Sequence, residues 1–481
     1  MKPSARFMSR HGIAFPRSLA LPLLLSLASC VSPVGPDHRK PDVSDVVPAA
    51  WSWQPARPSD HVPKGNWWRI FNDPVLDELE AHALKASPGL RAALARVEQA
   101  RARARASAVD WFPDVRLRSG FERQRTSGNL PTPIPVNIPP ATFDGATLGF
   151  DLSYELDLWG KVRRMVESSR AVAAATDAEY HNVVLSLAAD VAAQYFAVRS
   201  IDAEVGAMRS IVTLRTEADA LAAQRLKAGV TTEAEASRAR SELAASRAAM
   251  ADATRAREEA VATLALICGK PAGSFVLPEA TLPSRPPATV PAGLPADLLE
   301  RRPDIAAAER LVASRNADVG VAVAGYFPSI RLTGSAGQLS RDVDSLFSAD
   351  SRTWSLGPSV SLPITGYALT GARVRHAKAQ REEAIAQYRQ AVLAAIRDVE
   401  ASLAQVRRRA EQAEAMAEAA SVTAAAARLA LQRADAGVAN RSEWLEAERA
   451  RLEVSIRHSQ VLAMQHLAAV RMVKALGGGW E

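Results

Sequence analysis

The chain holds only two cysteines and eight histidines in 481 residues. Cys30 closes a leader, and Cys268 ends the apolar run Leu264-Ala265-Leu266-Ile267-Cys268, where it reads as a small buried hydrophobe. No disulfide framework is available. The histidines are scattered and no His/Cys cluster has metal-ligand spacing, so neither a metal nor another cofactor is expected. No glycine-rich phosphate loop follows a strand. An enzyme is not expected. Eight methionines with so few histidines supply no soft-ligand pathway for copper or silver. Proline is missing from about 68 residues between Gly160 and Ala228, and Gly206 is the only interior glycine there. Such a stretch predicts one helix of roughly 100 Å. Past the leader no run reaches the length of a membrane-spanning helix, so a membrane crossing would have to use strands.

Charge of one sign is also scarce. The net charge of +7 falls to +3 once the leader's Lys2, Arg6, Arg10 and Arg17 are removed, which argues against nucleic acid as a partner. That leader, residues 1–29, is a targeting segment. Its basic start, the short apolar stretch Leu19 to Leu27, and Leu27-Ala28-Ser29-Cys30 resemble a lipoprotein signal peptide. Cys30 is the expected lipidation site, carrying a diacylglycerol and an N-acyl chain. Val31 stands where an Asp would resemble an inner-membrane retention signal. Residues 30–66 are rich in Pro, Asp and Ser and read as an extended N-terminal arm.

What is present is a repeat. Ser87-Pro88-Gly89-Leu90 and Arg302-Pro303-Asp304-Ile305 open helical runs that end in Trp111-Phe112-Pro113 and Tyr326-Phe327-Pro328, both offset by 215. Ala228-Gly229-Val230 recurs as Ala436-Gly437-Val438, and Asp190-Val191 as Asp398-Val399, both offset by 208. The boundaries are residues 67–283 for the first copy, 284–476 for the second and 477–481 for a tail. Two copies of one unit suit a ring or tube better than an active site.

After each Pro the period changes from helical to two. Alternation predicts strands at about 113–124 and 143–158 in the first copy, and about 328–340 and 353–364 in the second. Four strands, each apolar on one side and polar on the other, are a fragment of a barrel, and closing one takes roughly eight or more. Several chains must then share it. Trp111, Trp159 and Tyr326, where strand meets helix, stand where a membrane-interface belt would be. The helices are Ala-rich, as in Thr423-Ala424-Ala425-Ala426-Ala427-Arg428, and favour a one-layer wall over a filled core. One helix is predicted over Asp73 to Asp110, and linkers around 269–295 interrupt the wall partway down.

These pieces together resemble the outer-membrane factor (TolC/OprM/NodT-like) efflux channel family, in its lipoprotein branch. The matching residues are Leu27-Ala28-Ser29-Cys30, Val34-Gly35-Pro36-Asp37, Trp67-Trp68, Tyr154-Glu155-Leu156-Asp157-Leu158-Trp159-Gly160, Arg301-Arg302-Pro303-Asp304, Tyr326-Phe327-Pro328 and Leu476-Gly477-Gly478-Gly479-Trp480. They span nearly the whole mature chain in family order. The resemblance implies an α+β membrane channel. Each protomer of a homotrimer would give four strands to a twelve-stranded outer-membrane barrel and long helices to a periplasmic α-barrel with a mixed equatorial belt. It also implies docking to a periplasmic adaptor and to an inner-membrane pump of the RND type.

Each long helix ends at a glycine followed by a capping residue. Thr232 with Glu235 has capping-box spacing, and Asn440 with Glu443 is a close variant. Two matched helix hairpins are therefore expected, with tips at about 229–232 and 437–440. By the resemblance, Gly229, Val230, Thr231, Gly437, Val438 and Ala439 would meet the adaptor. Glu235 matches the family's gate carboxylate by position, and Arg441 lies near its partner position. The Tyr expected three residues before Gly437 is Ala434, so Arg433, Asp435, Arg441 and Glu443 are the remaining gate candidates.

The expected function is an outer-membrane exit duct for small toxic compounds or antibiotics. A lipid-anchored periplasmic coiled-coil scaffold explains the helices but not the strands. A heavy-metal duct of the same fold has no support in the residues.

Overall fold

The computed structural model describes residues 32–43, 45, 65–128, 139–282 and 301–478. The leader, Cys30 and Trp480 lie outside the described residues, as do parts of the N-terminal arm, of the linker at 269–295 and of the loop between the first two strands. The chain divides into two compact units, each drawing on separated stretches of sequence: residues 1–39, 100–172 and 312–384, and residues 40–99, 173–311 and 385–481.

The first unit contains the sheet. Strands β1 (Asp114–Arg125), β2 (Thr142–Leu156), β3 (Ser329–Ser340) and β4 (Arg352–Ser361) pair antiparallel in sequence order, although a long helical excursion separates β2 from β3. The register aligns Val115 with Leu152, Gly334 and Leu356, and Leu117 with Phe150, Ala336 and Trp354. These rows form one apolar face, as strict alternation requires. The opposite face carries Arg116, Asp151, Ser335 and Ser355 in one row and Glu155, Arg331 and Ser359 in another. Arg118 pairs with Asp151 at 3.3 Å and Arg331 with Glu155 at 3.6 Å on that polar side. β1 and β4 each leave one edge unpaired among the described residues, and β1 is exposed along its whole length.

Beside the strand ends the N-terminal arm is locked to the helices. Val34 N–H donates to Trp159 O at 3.0 Å, and Asn316 Nδ2 donates to Pro36 O at 2.8 Å. The Arg164 side chain is 4% exposed and donates to Asp37 Oδ1 and Glu167 Oε2, both at 2.8 Å, and to Val34 O at 3.3 Å. Gly160 has φ +77°, and a Cβ there would lie 2.5 Å from Pro33 Cα, so neither its conformation nor its space admits a side chain.

Seven helices are described: α1 (Pro74–Ala86), α2 (Pro88–Val109), α3 (Lys161–Lys227), α4 (Glu233–Ile267), α5 (Pro303–Ala324), α6 (Tyr367–Asp435) and α7 (Arg441–Ala475). The single helix expected from Asp73 to Asp110 is two. Pro88 has no N–H to continue the ladder, and Ser87 ends α1 by donating to Ala83 O while its hydroxyl accepts from Leu90 N–H. α3 corrects a second expectation, because it contains a window long and apolar enough to cross a membrane by composition alone; half of that window is buried within the fold.

The second unit holds the main core. Trp67, Trp68, Phe71 and Leu76 pack on Val191, Tyr195 and Phe196 of α3 and on Leu264 and Cys268 at the end of α4. Full burial of side chains this size contributes about 1.5–3 kcal/mol each. A polar clamp fixes the segment after α4. Arg199 donates to Asp202 at 2.9 Å and to Pro278 O at 2.6 Å, while Arg257 donates to Asp202 at 2.6 Å and to Leu277 O at 2.8 Å. Glu80 and His466 also lie deep in this unit. Both Glu80 carboxylate oxygens are buried without a hydrogen-bond partner, and burial, with Asp77 nearby, pushes its carboxyl up to about 9. His466 lies between Phe71 and Phe196, with ring centroids 5.9 and 4.7 Å away.

Candidate functional site: the two helix tips

α3 and α6 end in the same way because each meets a glycine that can turn left-handed. Gly229 has φ +68° and Gly437 has φ +73°. Val230 N–H donates to Arg225 O and Val438 N–H to Arg433 O, both at 2.9 Å, while each glycine N–H reaches back three residues. This pair of bonds is a Schellman closure, which satisfies the last helical carbonyls. A Cβ on either glycine would meet nothing within 4 Å, so the constraint is conformational and not steric. The next helices are capped by side chains. Thr232 Oγ1 accepts from Glu235 N–H at 3.3 Å, and Asn440 Oδ1 accepts from Ser442 N–H at 3.3 Å. Val230 and Val438 are 75% and 71% exposed, so both tips present an apolar side chain to solvent.

The candidate gate residues divide. Glu235 is held in its own turn: the Thr231 hydroxyl donates to its carboxylate. That bond, a backbone bond from Thr232 and nearby Arg225 keep its carboxyl below the ordinary value. Among the described residues Arg433 and Glu443 make no ion pair. Arg441 and Asp435 are brought together at 3.4 Å. Arg441 also donates through Nε to Glu217 Oε1 at 2.9 Å, and its guanidinium lies 3.8 Å from the centroid of the Trp444 ring.

Residues that sequence reasoning missed complete this cluster. Arg225 Nη2 donates to Asn440 Oδ1 at 2.5 Å, so the capping residue of the second tip is bound by the last turn of α3. Arg215, only 15% exposed, bridges Glu242 of α4 at 2.7 Å and Glu446 of α7 at 2.9 Å. Arg449 joins Glu446 at 2.9 Å, and together with Arg215 it lowers that carboxyl despite burial. Three helices are thus tied near the tips by charge. Singly such exposed pairs are worth about 0–1 kcal/mol, and as a network they act together. No sequence signal marks Glu217 or Arg215, which read as ordinary solvated helix charges.

The three candidate interface aromatics stand at the junction of strands and helices in the first unit. Trp159 stacks on Phe327 with centroids 4.7 Å apart and donates from Nε1 to Pro328 O at 2.8 Å. Tyr326 stacks on Tyr367 at 6.0 Å. Trp111 is 42% exposed, with Arg170 lying 5.6 Å from its ring.

Comparison with known proteins matches this architecture. The family model "Outer membrane efflux protein" matches residues 80–270 and 294–478. The antibiotic efflux pump outer membrane protein ArpC of Pseudomonas putida is 30% identical over 467 residues, covering 95% of this chain and 96% of its own. Among solved structures, the outer-membrane channel OprN is 32% identical with a TM-score of 0.81, covering 93% of this chain and 99% of its own. The open state of the MtrE outer membrane channel of Neisseria gonorrhoeae is 28% identical with a TM-score of 0.77, covering 93% and 98%.

Proposed function

The chain belongs to the outer membrane efflux protein family, and from that premise we propose that it is the exit duct of a tripartite efflux system. It is an outer-membrane efflux component and not an enzyme. In our reading three copies close one twelve-stranded barrel, each giving the four strands, and their long helices form the periplasmic α-barrel with an equatorial belt. Each copy is itself two repeats of one unit, about 67–283 and 284–476. The observation that carries this is the sheet. It has an apolar face of exposed side chains, such as Leu117 at 64% and Trp354 at 78%, and two edges unpaired among the described residues. Such a sheet is unstable in water and in lipid until its edges are closed.

Transport needs no chemistry from the duct, so the energy comes from a partner. The tip residues Gly229, Val230, Thr231, Gly437, Val438 and Ala439 meet a periplasmic adaptor, which links the duct to an RND-type inner-membrane pump. The cargo is small toxic compounds or antibiotics, as the name of ArpC suggests. The Arg441–Glu217 and Arg225–Asn440 contacts hold the tips together at rest, with Asp435, Arg433, Glu235 and Glu443 as neighbouring charges that open or close with them. The open state recorded for MtrE supports a duct that opens and closes. Cys30 carries the lipid anchor. Only three residues, 31–33, lie between it and Val34, at most about 14 Å of chain from Cα to Cα, and Val34 is bound to Trp159 beside the strand ends.

The test is the mass of the detergent-extracted outer-membrane protein by light scattering, corrected for detergent, together with its single-channel conductance. A three-chain particle that conducts is expected. A monomer recovered from the periplasmic face without a barrel overturns the reading.

A further inference from the structure

The apolar face of the sheet ends abruptly toward the hairpin loops, and arginines replace it. On β1 the alternating face runs Val115, Leu117, Ser119, Phe121 and then Arg123 and Arg125. On β4 it runs Val360, Pro358, Leu356, Trp354 and then Arg352. Each strand therefore places an aromatic side chain directly before its first arginine. Across the sheet, Arg123 faces Asp144 at 3.5 Å, Arg125 reaches Thr142 at 3.4 Å and Arg352 is registered with Gln338. Of the three guanidiniums Arg123 alone faces a carboxylate on the sheet, and all three are exposed.

The height of the apolar band sets the level of these charges. On β2 the band runs from Ala146 to Leu156, about 33 Å along the strand. At a strand tilt of roughly 35–45° this gives about 25 Å of height, the thickness of a barrel's lipid-facing band. Arg123 and Arg125 then fall above the band, at the outer headgroup level, and Arg352, in the row of Gln338 and Leu148, lies at its upper rim, from which a long arginine side chain reaches the headgroups. β1 and β4 are the two open edges of the sheet. In a barrel closed by several copies, β4 of one copy adjoins β1 of the next.

We propose that Arg123 and Arg125, with Arg352 of the neighbouring copy, clamp a phosphorylated headgroup of an outer-leaflet glycolipid at each seam of the barrel. The inference rests on the shared-barrel reading. Guanidinium forks bind phosphate bidentately and stay charged at every relevant pH. The aromatic ring beneath each arginine occupies the interface, where one side is wet and the other apolar. Among the described strand residues Asp144 is the one carboxylate on this face of the sheet; it pairs with Arg123 and leaves Arg125 and Arg352 for the ligand, while Asp342, Asp344 and Asp350 belong to the loop between β3 and β4.

The experiment uses the full-length, detergent-extracted protein and two probes, bis-phosphorylated lipid A and the same lipid with its phosphates removed, with binding measured by native mass spectrometry. Removing one guanidinium, Arg352→Gln, weakens the phosphorylated lipid about fivefold, and the triple change Arg123→Gln, Arg125→Gln, Arg352→Gln about a hundredfold. Arg116→Gln, on the polar face, leaves binding unchanged. Where the triple variant does not assemble, the single variant decides. Equal binding of both lipids, or full binding by Arg352→Gln, overturns the clamp. Quenching of Trp354 by brominated lipid, taken as the difference from Trp354→Phe, separates the two readings. Quenching without phosphate-dependent binding removes the clamp alone, and absence of quenching removes the membrane band and the clamp together.

Discussion

Arg441 and Glu217 are 224 residues apart in the chain, yet their side chains meet at 2.9 Å. The contact ties the first turn of the last helix to the lower part of the long helix of the first repeat. Arg441 reaches it while stacked over Trp444, which restricts its rotamers and lowers the entropy cost of the ion pair. We expect Arg441→Glu to raise resting conductance and antibiotic leakage, and the double change with Glu217→Arg to restore the closed level. One such exposed pair is worth about 0–1 kcal/mol, so the open fraction should rise no more than about fivefold. Equal conductance of the single and wild-type channels in planar bilayers would remove the pair from the gate. Charge reversal at Glu235 tests the other candidate, and since that carboxylate is bound within its own turn, its effect should be smaller.

Glu80 makes stability fall as pH rises. Its carboxyl is near 4.5 when unfolded and about 9 when folded, so the folded chain holds the extra proton between those values. The stabilisation is full below about 4.5 and is lost progressively up to about 9, by at most about 1.4 kcal/mol per pH unit. Glu80→Gln should flatten this slope and raise the thermal midpoint at pH 8. Parallel pH profiles for the two proteins would show that Glu80 is ionised in the fold.

His466 gives the opposite limb. Burial holds its imidazole below its ordinary value, although the Leu462 carbonyl and Asp73 favour the charged form. The unfolded chain therefore binds a proton first, and stability falls as pH drops below about 6.5. His466→Phe, which keeps an aromatic ring between Phe71 and Phe196, should remove that acid loss. Melting curves at pH 5 and pH 7.5 check it. An unchanged difference between them excludes His466.

The arm clamp predicts a local failure. Arg164→Ala leaves Asp37 and the carbonyls of Val34 and Gly35 without their donor, and Gly160→Ala drives a methyl into Pro33. Each change should free residues 32–43 for limited proteolysis, with a loss of about 2–4 kcal/mol for the arginine. Arg164→Lys should rescue little, because a single ammonium cannot reproduce the fork. A protease-resistant arm in Arg164→Ala would show that the clamp is dispensable.

Some of this was legible in the sequence for direct physical reasons. The strands carry a period of two that a register must obey, so the rows through Leu117 and Trp354 could be read from alternation. The tips announce themselves because only glycine takes φ +68° or +73° readily and Thr232 and Asn440 are good caps. The break at Ser87 is marked by Pro88, which opens the helical run of the first repeat, but the Ala-rich pattern on both sides of it reads as one helix. Arg441–Glu217 and Arg215–Glu446 were not legible, since a charge on a helix surface gives no sign of a partner more than two hundred residues away. Glu80 was equally silent, because an acidic residue among helix formers looks solvated until the burial of its helix together with Leu76, Leu79 and Ala83 is known.

The two open edges of the sheet have a genetic consequence. On the proposed shared barrel each copy closes the edge of another, so no copy would be faulty on its own account. A variant that still pairs through β1 but is damaged at its tips would enter barrels with sound copies and spoil them. Such alleles should behave as dominant, lowering antibiotic resistance even beside an intact gene. A variant that cannot pair through β1 or β4 should be recessive, because it is left out.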